Sequence, residues 1–168
     1  MKTVAVMQPY FLPYAGYFRL FAAADQVALF DCAQFPRRGW VHRNRLPGAS
    51  GDAAWLTLPL QRAPVATAIK DLRFTTDAAS TLKEACRRFP ALQNGTDPLL
   101  KLLLQSNGAF CDYLETLLRD CCTRLDLRFN VVRTSTLDLD PSLRGQDRVL
   151  AALDALNADR YVNLEGGR

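Results

Sequence analysis

Histidine is almost missing from this sequence, since His42 is the only one in 168 residues. Five cysteines are present, but none is spaced from another cysteine or from the histidine as zinc ligands are. The sequence also lacks a Walker-type or G-x-G-x-x-G loop, a Ser-His-Asp set and a paired-carboxylate motif. These absences argue against a zinc protein and against the common phosphate-loop, dinucleotide-binding and triad enzymes. We predict no metal site, and the sequence identifies no cofactor.

Long apolar runs are missing too. None approaches the roughly 20 residues that span a bilayer, and the N-terminus lacks the pattern of a secretory signal. Hydrophobic residues make up 49% of the chain and charged residues 23%, which is typical of a globular protein. We therefore expect one cytoplasmic domain covering residues 1–168, with its odd number of cysteines present as free thiols.

The most distinctive stretch joins the first predicted strand to the first predicted helix. Thr3–Met7 is a short apolar run typical of a buried strand, and Gly16–Ala24 favours a helix. Pro9 and Pro13 restrict the backbone between them. In α/β sheets such a junction lies where ligands bind. The alternative is that its aromatic residues only pack beneath the sheet. We predict that five residues of this junction contact substrate: Gln8, Tyr10, Tyr14, Gly16 and Tyr17.

A second buried strand is predicted at Gln26–Phe30, which completes a β-α-β unit and favours a parallel sheet. Asp31 then lies at the same carboxyl edge as Gln8, and we assign it a catalytic role. Cys32 follows it. We interpret Cys32 as a packing residue, because a reactive thiol needs a neighbouring base or cation that the sequence does not reveal.

Residues 32–50 form a long excursion with the densest positive charge in the chain. If the segment from Gly39 is extended, Trp40, His42 and Asn44 share one face, while Arg43 and Arg45 share the other. Arg38 joins the arginine face only if Gly39 forms a bulge. Arginine binds phosphate and carboxylate in a bidentate way, although a charge run can equally be solvated surface. We predict an anion-binding surface made of Arg38, Trp40, Arg43, Asn44 and Arg45.

His42 is the predicted general acid or base within this excursion, although a lone histidine can also be an ordinary hydrogen-bonded or surface residue. Nearby arginines disfavour its protonated form, which leaves a neutral base at pH 7.

The remainder of the chain predicts packing elements. Strands are expected at 54–60, 69–74, 129–132 and 161–164, and helices from about 77 or 80 to 89, at 99–104, at 110–125 and from 145 to about 157. The hydroxyls of residues 134–136 follow a predicted core strand. The sequence therefore predicts an α/β fold with a mainly parallel sheet, flanking helices and a β excursion after the second strand. It does not determine the strand order.

The chain contains M-Q-P-Y-F-L-P-Y-A-G-Y-F-R-L, Gln34, R-G-W at 38–40, R-N-R at 43–45, L-T-L-P-L at 56–60 and Y-V-N-L-E-G-G at 161–167. Together these segments resemble the WbqC-like family of bacterial proteins. The resemblance is strong over about residues 1–60 and returns near the end of the chain. Asn163 and Gly166 of the last segment are added to the predicted substrate-binding residues. Family members often continue further, so two interpretations stay open: the chain is a short member, or part of the family's C-terminal region is missing.

The resemblance implies a role in surface-polysaccharide or O-antigen (lipopolysaccharide) assembly, as a glycine, other acyl or sugar-linked transferase. An anionic donor is then expected: a nucleotide-sugar, a phosphate ester or an acyl carrier. One alternative is a nucleotidyltransferase-like enzyme or its inactive descendant, because Tyr14-Ala15-Gly16-Tyr17 stands where such enzymes place H-x-G-H. A nucleic-acid-binding module is the other, supported only by the net charge of +4. The oligomeric state is not predicted.

Overall fold

The structure, a computed structural model, describes residues 1–93 and 96–164. Its helices are α1 (Ala15–Ala23), α2 (Ala78–Cys86), α3 (Pro98–Leu104), α4 (Phe110–Arg124) and α5 (Gly145–Ala155). Its strands are β1 (Thr3–Met7), β2 (Gln26–Leu29), β3 (Arg43–Pro47), β4 (Ala53–Thr57), β5 (Val131–Arg133) and β6 (Arg160–Val162). The chain divides into two compact units.

Unit 1 contains Met1–Pro9, Pro13–Ala33 and the described chain from Cys121 onward. Its four strands form a sheet in the order β5-β2-β1-β6, and every neighbouring pair is parallel. The expected α/β class with a mainly parallel sheet is therefore confirmed.

The central strands of unit 1 are apolar after their first residues, Thr3 and Gln26, as in parallel strands covered on both faces. Val4, Val6 and Ala28 lie in one buried cluster with Leu153 and Leu156 of α5 and its C-cap, so α5 covers that face. The buried residues of α1 include Phe21, whose ring stacks on Phe129 at 5.7 Å between centroids. Phe129, which was expected to start a strand, is thus a packing residue, and β5 begins at Val131.

Unit 2 contains Tyr10–Leu12 and Gln34–Asp120. The predicted β excursion is an antiparallel hairpin in which β3 pairs with β4, with Arg45 opposite Trp55. Gly51 has a φ of +85° in the connecting turn, a conformation that favours glycine. The part of unit 2 that precedes β3 is not a strand, because Gly39 N–H donates to Pro36 O at 2.8 Å and closes a turn.

The strand expected at 69–74 is wrong. Ile69–Asp71 forms a 3-10 turn, which Asp71 N–H closes by donating to Ala68 O at 3.0 Å. Of the expected pairing with residues 54–60, only a single bridge between Leu60 and Phe74 remains, and Arg73 bridges Ala109 instead. Phe74 is buried here and meets the ring of Tyr113 edge-on at 5.1 Å. Phe74 is apolar because it packs against α4. In the sequence, the same apolar residue fits the pattern of a buried strand.

None of the helices within residues 1–93 and 96–164 combines the length and apolar character that a bilayer crossing requires.

Candidate functional site

The carboxyl edge of the sheet in unit 1 is the first candidate site. Across the sheet, β2 lies beside β1 and β5 lies beside β2, so the chain first adds strands on one side of β1. It then adds β6 on the other side of β1. Open α/β sheets bind ligands at the carboxyl ends of the strands where the order reverses in this way. Here that point lies between β1 and β6, which pair through Ala5 and Val162. Gln8 directly follows β1 and Asn163 directly follows β6.

Gln8 and Tyr17 fix the start of the junction after β1. Tyr17 is fully buried, and its hydroxyl donates to the main-chain oxygen of Gln8 at 2.9 Å. The side-chain amide of Gln8 makes no hydrogen bond within the described chain, so it is available to a ligand. Tyr14 is 60% exposed, and its ring lies over Gly16 so closely that a Cβ there would sit 2.3 Å from it. Gly16 thus makes room for the Tyr14 ring.

Asp31 lies at the end of β2 and is 1% exposed. Its carboxylate accepts hydrogen bonds from Ser135 N–H at 2.9 Å, from Ser135 Oγ at 2.5 Å and from Thr134 Oγ1 at 3.2 Å. These contacts join the ends of β2 and β5. Asp31 is therefore a buried, hydrogen-bonded carboxylate that positions the loop after β5.

Cys32 has the cationic neighbour that its sequence context does not reveal. The Nε of Arg148, in the first turns of α5, donates to Cys32 Sγ at 2.9 Å. Thr134 Oγ1 lies 3.1 Å from the same sulfur. The Arg148 guanidinium is held in place by a second bond, from Nη1 to Asp140 O at 3.0 Å. A partly exposed thiol with a cationic donor is the usual environment of a reactive cysteine.

The arginine hairpin of unit 2 is the second candidate site. Arg43 and Arg45 lie on the same face, with their guanidinium carbons 4.3 Å and 5.9 Å from the centre of the Trp55 ring. Trp40 packs against Trp55 at 5.4 Å between centroids, yet the two rings stay 44% and 38% exposed. Together Trp40, Arg43, Arg45 and Trp55 form an exposed surface of aromatic rings and guanidinium groups.

Some predicted residues of unit 2 support the backbone. Arg43 Nη2 donates to Arg38 O at 2.8 Å. Asn44 Nδ2 donates to the main-chain oxygens of Phe11 and Leu12, and so holds Leu12 in its left-handed conformation, with a φ of +45°. The Arg38 side chain is exposed and makes no bond within the described residues. Tyr10, next to Phe11, is half-buried.

His42 is partly buried beside Phe35, whose ring meets it edge-on at 4.9 Å between centroids. Its Nδ1 is buried without a hydrogen-bond partner in the described chain. Burial, and secondarily the charge of Arg43, lowers the pKa of His42 to about 4. The imidazole is therefore neutral at pH 7.

No cluster of three or more His, Cys, Asp or Glu side chains within residues 1–93 and 96–164 is placed to hold a metal ion. Asn163 is exposed and its Oδ1 accepts a bond from Leu164 N–H at 2.8 Å. Gly166 lies outside the described residues.

Comparison with known proteins supports the resemblance seen in the sequence. The profile of the WbqC-like protein family matches residues 8–168. The chain belongs to this family. It is also 39% identical over 61 residues to an uncharacterized protein of Mycobacterium tuberculosis, Rv1507c, an alignment that covers 36% of this chain and 26% of that protein. No solved structure matches significantly.

Two features of this WbqC-like chain escape sequence reasoning. Arg148 is 116 positions from Cys32, and only the return of α5 to the sheet brings them together. Trp55 lies in an ordinary strand pattern, and the signal that could have found it is its position opposite the arginines of β3.

Proposed function

We propose that this protein is a transferase of bacterial surface-polysaccharide (O-antigen) biosynthesis that takes an acyl group from an anionic activated donor at the carboxyl edge of unit 1. Membership of the WbqC-like family supports the biological setting. The observation that carries the chemistry is the 2.9 Å bond from Arg148 Nε to Cys32 Sγ. Five free cysteines favour a reducing compartment, so we place the reaction in the cytoplasm.

In the proposed reaction, the Cys32 thiol loses its proton to solvent and the sulfur attacks the carbonyl carbon of the donor. A thioester bond forms, and the donor's leaving group departs with the electrons of the broken bond. An amine or hydroxyl of the acceptor then attacks the thioester, loses its proton and releases the sulfur. Arg148 supports the negative charge on sulfur at both stages.

The residues proposed to bind the donor lie at the same edge of the sheet. The Gln8 amide, with no partner in the described chain, is proposed to bond the donor, together with Asn163 after β6 and the exposed Tyr14 ring. Asp31 acts by holding Thr134 and Ser135 in place, and not as a proton donor to substrate.

The arginine hairpin of unit 2 is proposed as an anion-binding surface in its own right. Arg38 and Arg45 supply the guanidinium groups, because Arg43 bonds two main-chain oxygens, those of Arg38 and Gly39, whereas Arg45 makes one long bond, to Ala53 O at 3.4 Å. His42, neutral at pH 7, is proposed as a hydrogen-bonding or proton-accepting group there. A phosphate or carboxylate of a nucleotide-sugar, phosphate ester or acyl carrier is the matching ligand.

A second candidate is a nucleotide-binding protein that descends from nucleotidyltransferases. The strand order β5-β2-β1-β6, with a helix following β1, favours it. Tyr14 and Tyr17 replace the histidines that such enzymes use, and Tyr17 is buried and bonded to Gln8. This candidate therefore predicts nucleotide binding without covalent labelling of Cys32.

Covalent labelling separates the two candidates. Incubation with small acyl thioesters, followed by intact-mass and peptide mass spectrometry, should place one acyl group on Cys32. Cys32→Ala should abolish the adduct, and Arg148→Gln should slow its formation by roughly 10- to 150-fold, since a charge-assisted bond contributes about 1.5–3 kcal/mol. Cys121→Ala, which removes another partly exposed thiol, is the matched control. Labelling that is equal at Cys32 and Cys121, or unchanged in Arg148→Gln, would refute the transferase proposal.

A further inference from the structure

A cavity of about 490 Å³ lies between α2 and α3 in unit 2, and none of the residues assigned above lines it. Its size falls within the range of small-molecule pockets, roughly 300–1,000 Å³. Leu92, Leu100 and Leu104 line its apolar part. Cys86 adds a buried thiol, whose pKa burial raises, so that this wall is uncharged.

The charged side chains that line the cavity are all cationic. They are Lys83, Arg87 and Lys101, the amide of Gln93 is the neutral polar group, and no carboxylate of the described residues lines the cavity. Arg87 pairs with Glu84 at 2.6 Å, whereas neither Lys83 nor Lys101 forms an ion pair within the described chain. Two ammonium groups therefore line a largely apolar cavity without a counter-charge from the described residues.

Helix stabilisation explains only part of this arrangement. Lys83 and Arg87 lie near the carboxyl end of α2, and Lys101 lies in the last turn of α3, where cations interact favourably with the helix dipole. That role requires no cavity. It also leaves unexplained why the cations of both helices line one space together with three leucine side chains that stay only partly buried.

We propose that this cavity binds a chain-like amphipathic anion, an alkyl or acyl chain that ends in a carboxylate or phosphate. The chain occupies the space against Leu92, Leu100 and Leu104, and the head group binds Lys83 and Lys101. The inference does not depend on the transferase chemistry of unit 1, because every lining residue belongs to unit 2.

Calorimetric titration with hexyl, octyl and decyl phosphate, each below its micelle-forming concentration, tests the proposal on the full chain. Affinity should rise by up to about 4-fold for each added methylene, since each buried CH₂ contributes about 0.8 kcal/mol, until the cavity is filled. Octylammonium, which has the chain without the anion, should not bind. The proposal would be overturned if affinity did not change with chain length, or if octylammonium bound as tightly as octyl phosphate.

Charge-reversal variants locate the head group. Lys101→Glu should weaken octyl phosphate binding by about 10-fold or more, because it removes one cation and adds a like charge to the ligand's head. Arg62→Glu is the matched control, since Arg62 is an exposed cation of unit 2 outside the cavity. Equal weakening by both variants would show only a loss of net charge and would overturn the assignment.

A second variant and a vesicle-binding measurement complete the test. Lys83→Glu repeats the test from α2 if Lys101→Glu fails to fold, which circular dichroism reports.

Binding to vesicles of phosphatidylglycerol shows whether the anionic head group belongs to a soluble molecule or to a membrane lipid. Binding of the soluble alkyl phosphates supports the proposal, whereas binding of vesicles alone would overturn it in favour of a membrane-contacting surface.

Discussion

His42 makes the stability of unit 2 depend on pH below neutrality. Its pKa is about 4 in the folded chain, below the ordinary value of 6.5. Between these values the unfolded chain binds a proton that the folded chain does not, so unfolding becomes more favourable as pH falls. The stabilisation is fully present above about pH 6.5 and is lost progressively as the pH approaches 4.

The size of the effect follows from the two pKa values. The full difference corresponds to a ceiling of about 3.4 kcal/mol. Because the imidazole is only partly buried, solvent screening brings the expected loss to about 1–2 kcal/mol. His42→Phe removes the titration while keeping a ring against Phe35, so the difference in unfolding free energy between parent and variant should change by that amount between pH 7 and pH 4.5.

Urea unfolding followed by tryptophan fluorescence is the assay, because Trp40 and Trp55 are the chain's two tryptophans and both belong to unit 2. As the only histidine, His42 also gives a single imidazole NMR signal, which should titrate near pH 4. Phe35→Ala should expose the ring and move that midpoint toward 6.5. The reasoning is refuted if the parent and His42→Phe lose stability in parallel, or if the signal titrates at 6.5 in the parent.

Three further predictions concern the candidate sites. Asp31→Ala leaves the N–H and Oγ of Ser135 without their acceptor, while Thr134 Oγ1 keeps Leu29 O, and should lower the free energy of unfolding by about 2–4 kcal/mol in urea titrations; a loss below about 0.5 kcal/mol would contradict the buried network. Tyr17→Phe should lose about 1–2 kcal/mol, with Tyr14→Phe as the exposed control near zero. Arg45→Ala should weaken binding of phosphate-bearing ligands by roughly 10- to 150-fold in low salt with little change in stability, and equal binding by parent and variant would make the hairpin ordinary surface.

The central elements of the fold can be read from the sequence because their signals are local. β1 and β2 are continuous apolar runs bounded by polar residues, and α4 carries an apolar stripe at helical spacing. Strand order, in contrast, cannot be read from local sequence. Whether β6 pairs with β1 depends on contacts between residues such as Val4 and Tyr161, which are far apart in the chain and carry no pairing code.

In the candidate sites too, the features that depend on neighbouring residues could be predicted, and those that depend on distant contacts could not. The direction of the His42 pKa shift follows from its arginine neighbours, but its main cause is burial, which no neighbouring residue predicts. Arg43 and Arg45 share a face as strand alternation requires. The contact between Cys32 and Arg148 could not be predicted, because it depends on how α5 returns to the sheet.

The order of the strands also bears on how the chain folds during synthesis. Unit 2 is almost entirely one continuous stretch, Gln34–Asp120, whereas β1 must wait for β6, more than 150 positions later in the chain. Such distant pairing is slow, and domains form from the N-terminus onward as the chain is made. We therefore expect unit 2 to become resistant to protease first, in nascent chains stalled after residue 120. Chains of that length should also aggregate, because β1 and β2 lack β6 and β5 at their outer edges and present unpaired, apolar backbone. Protease resistance of β1 and β2 before β6 has been synthesised would contradict this order.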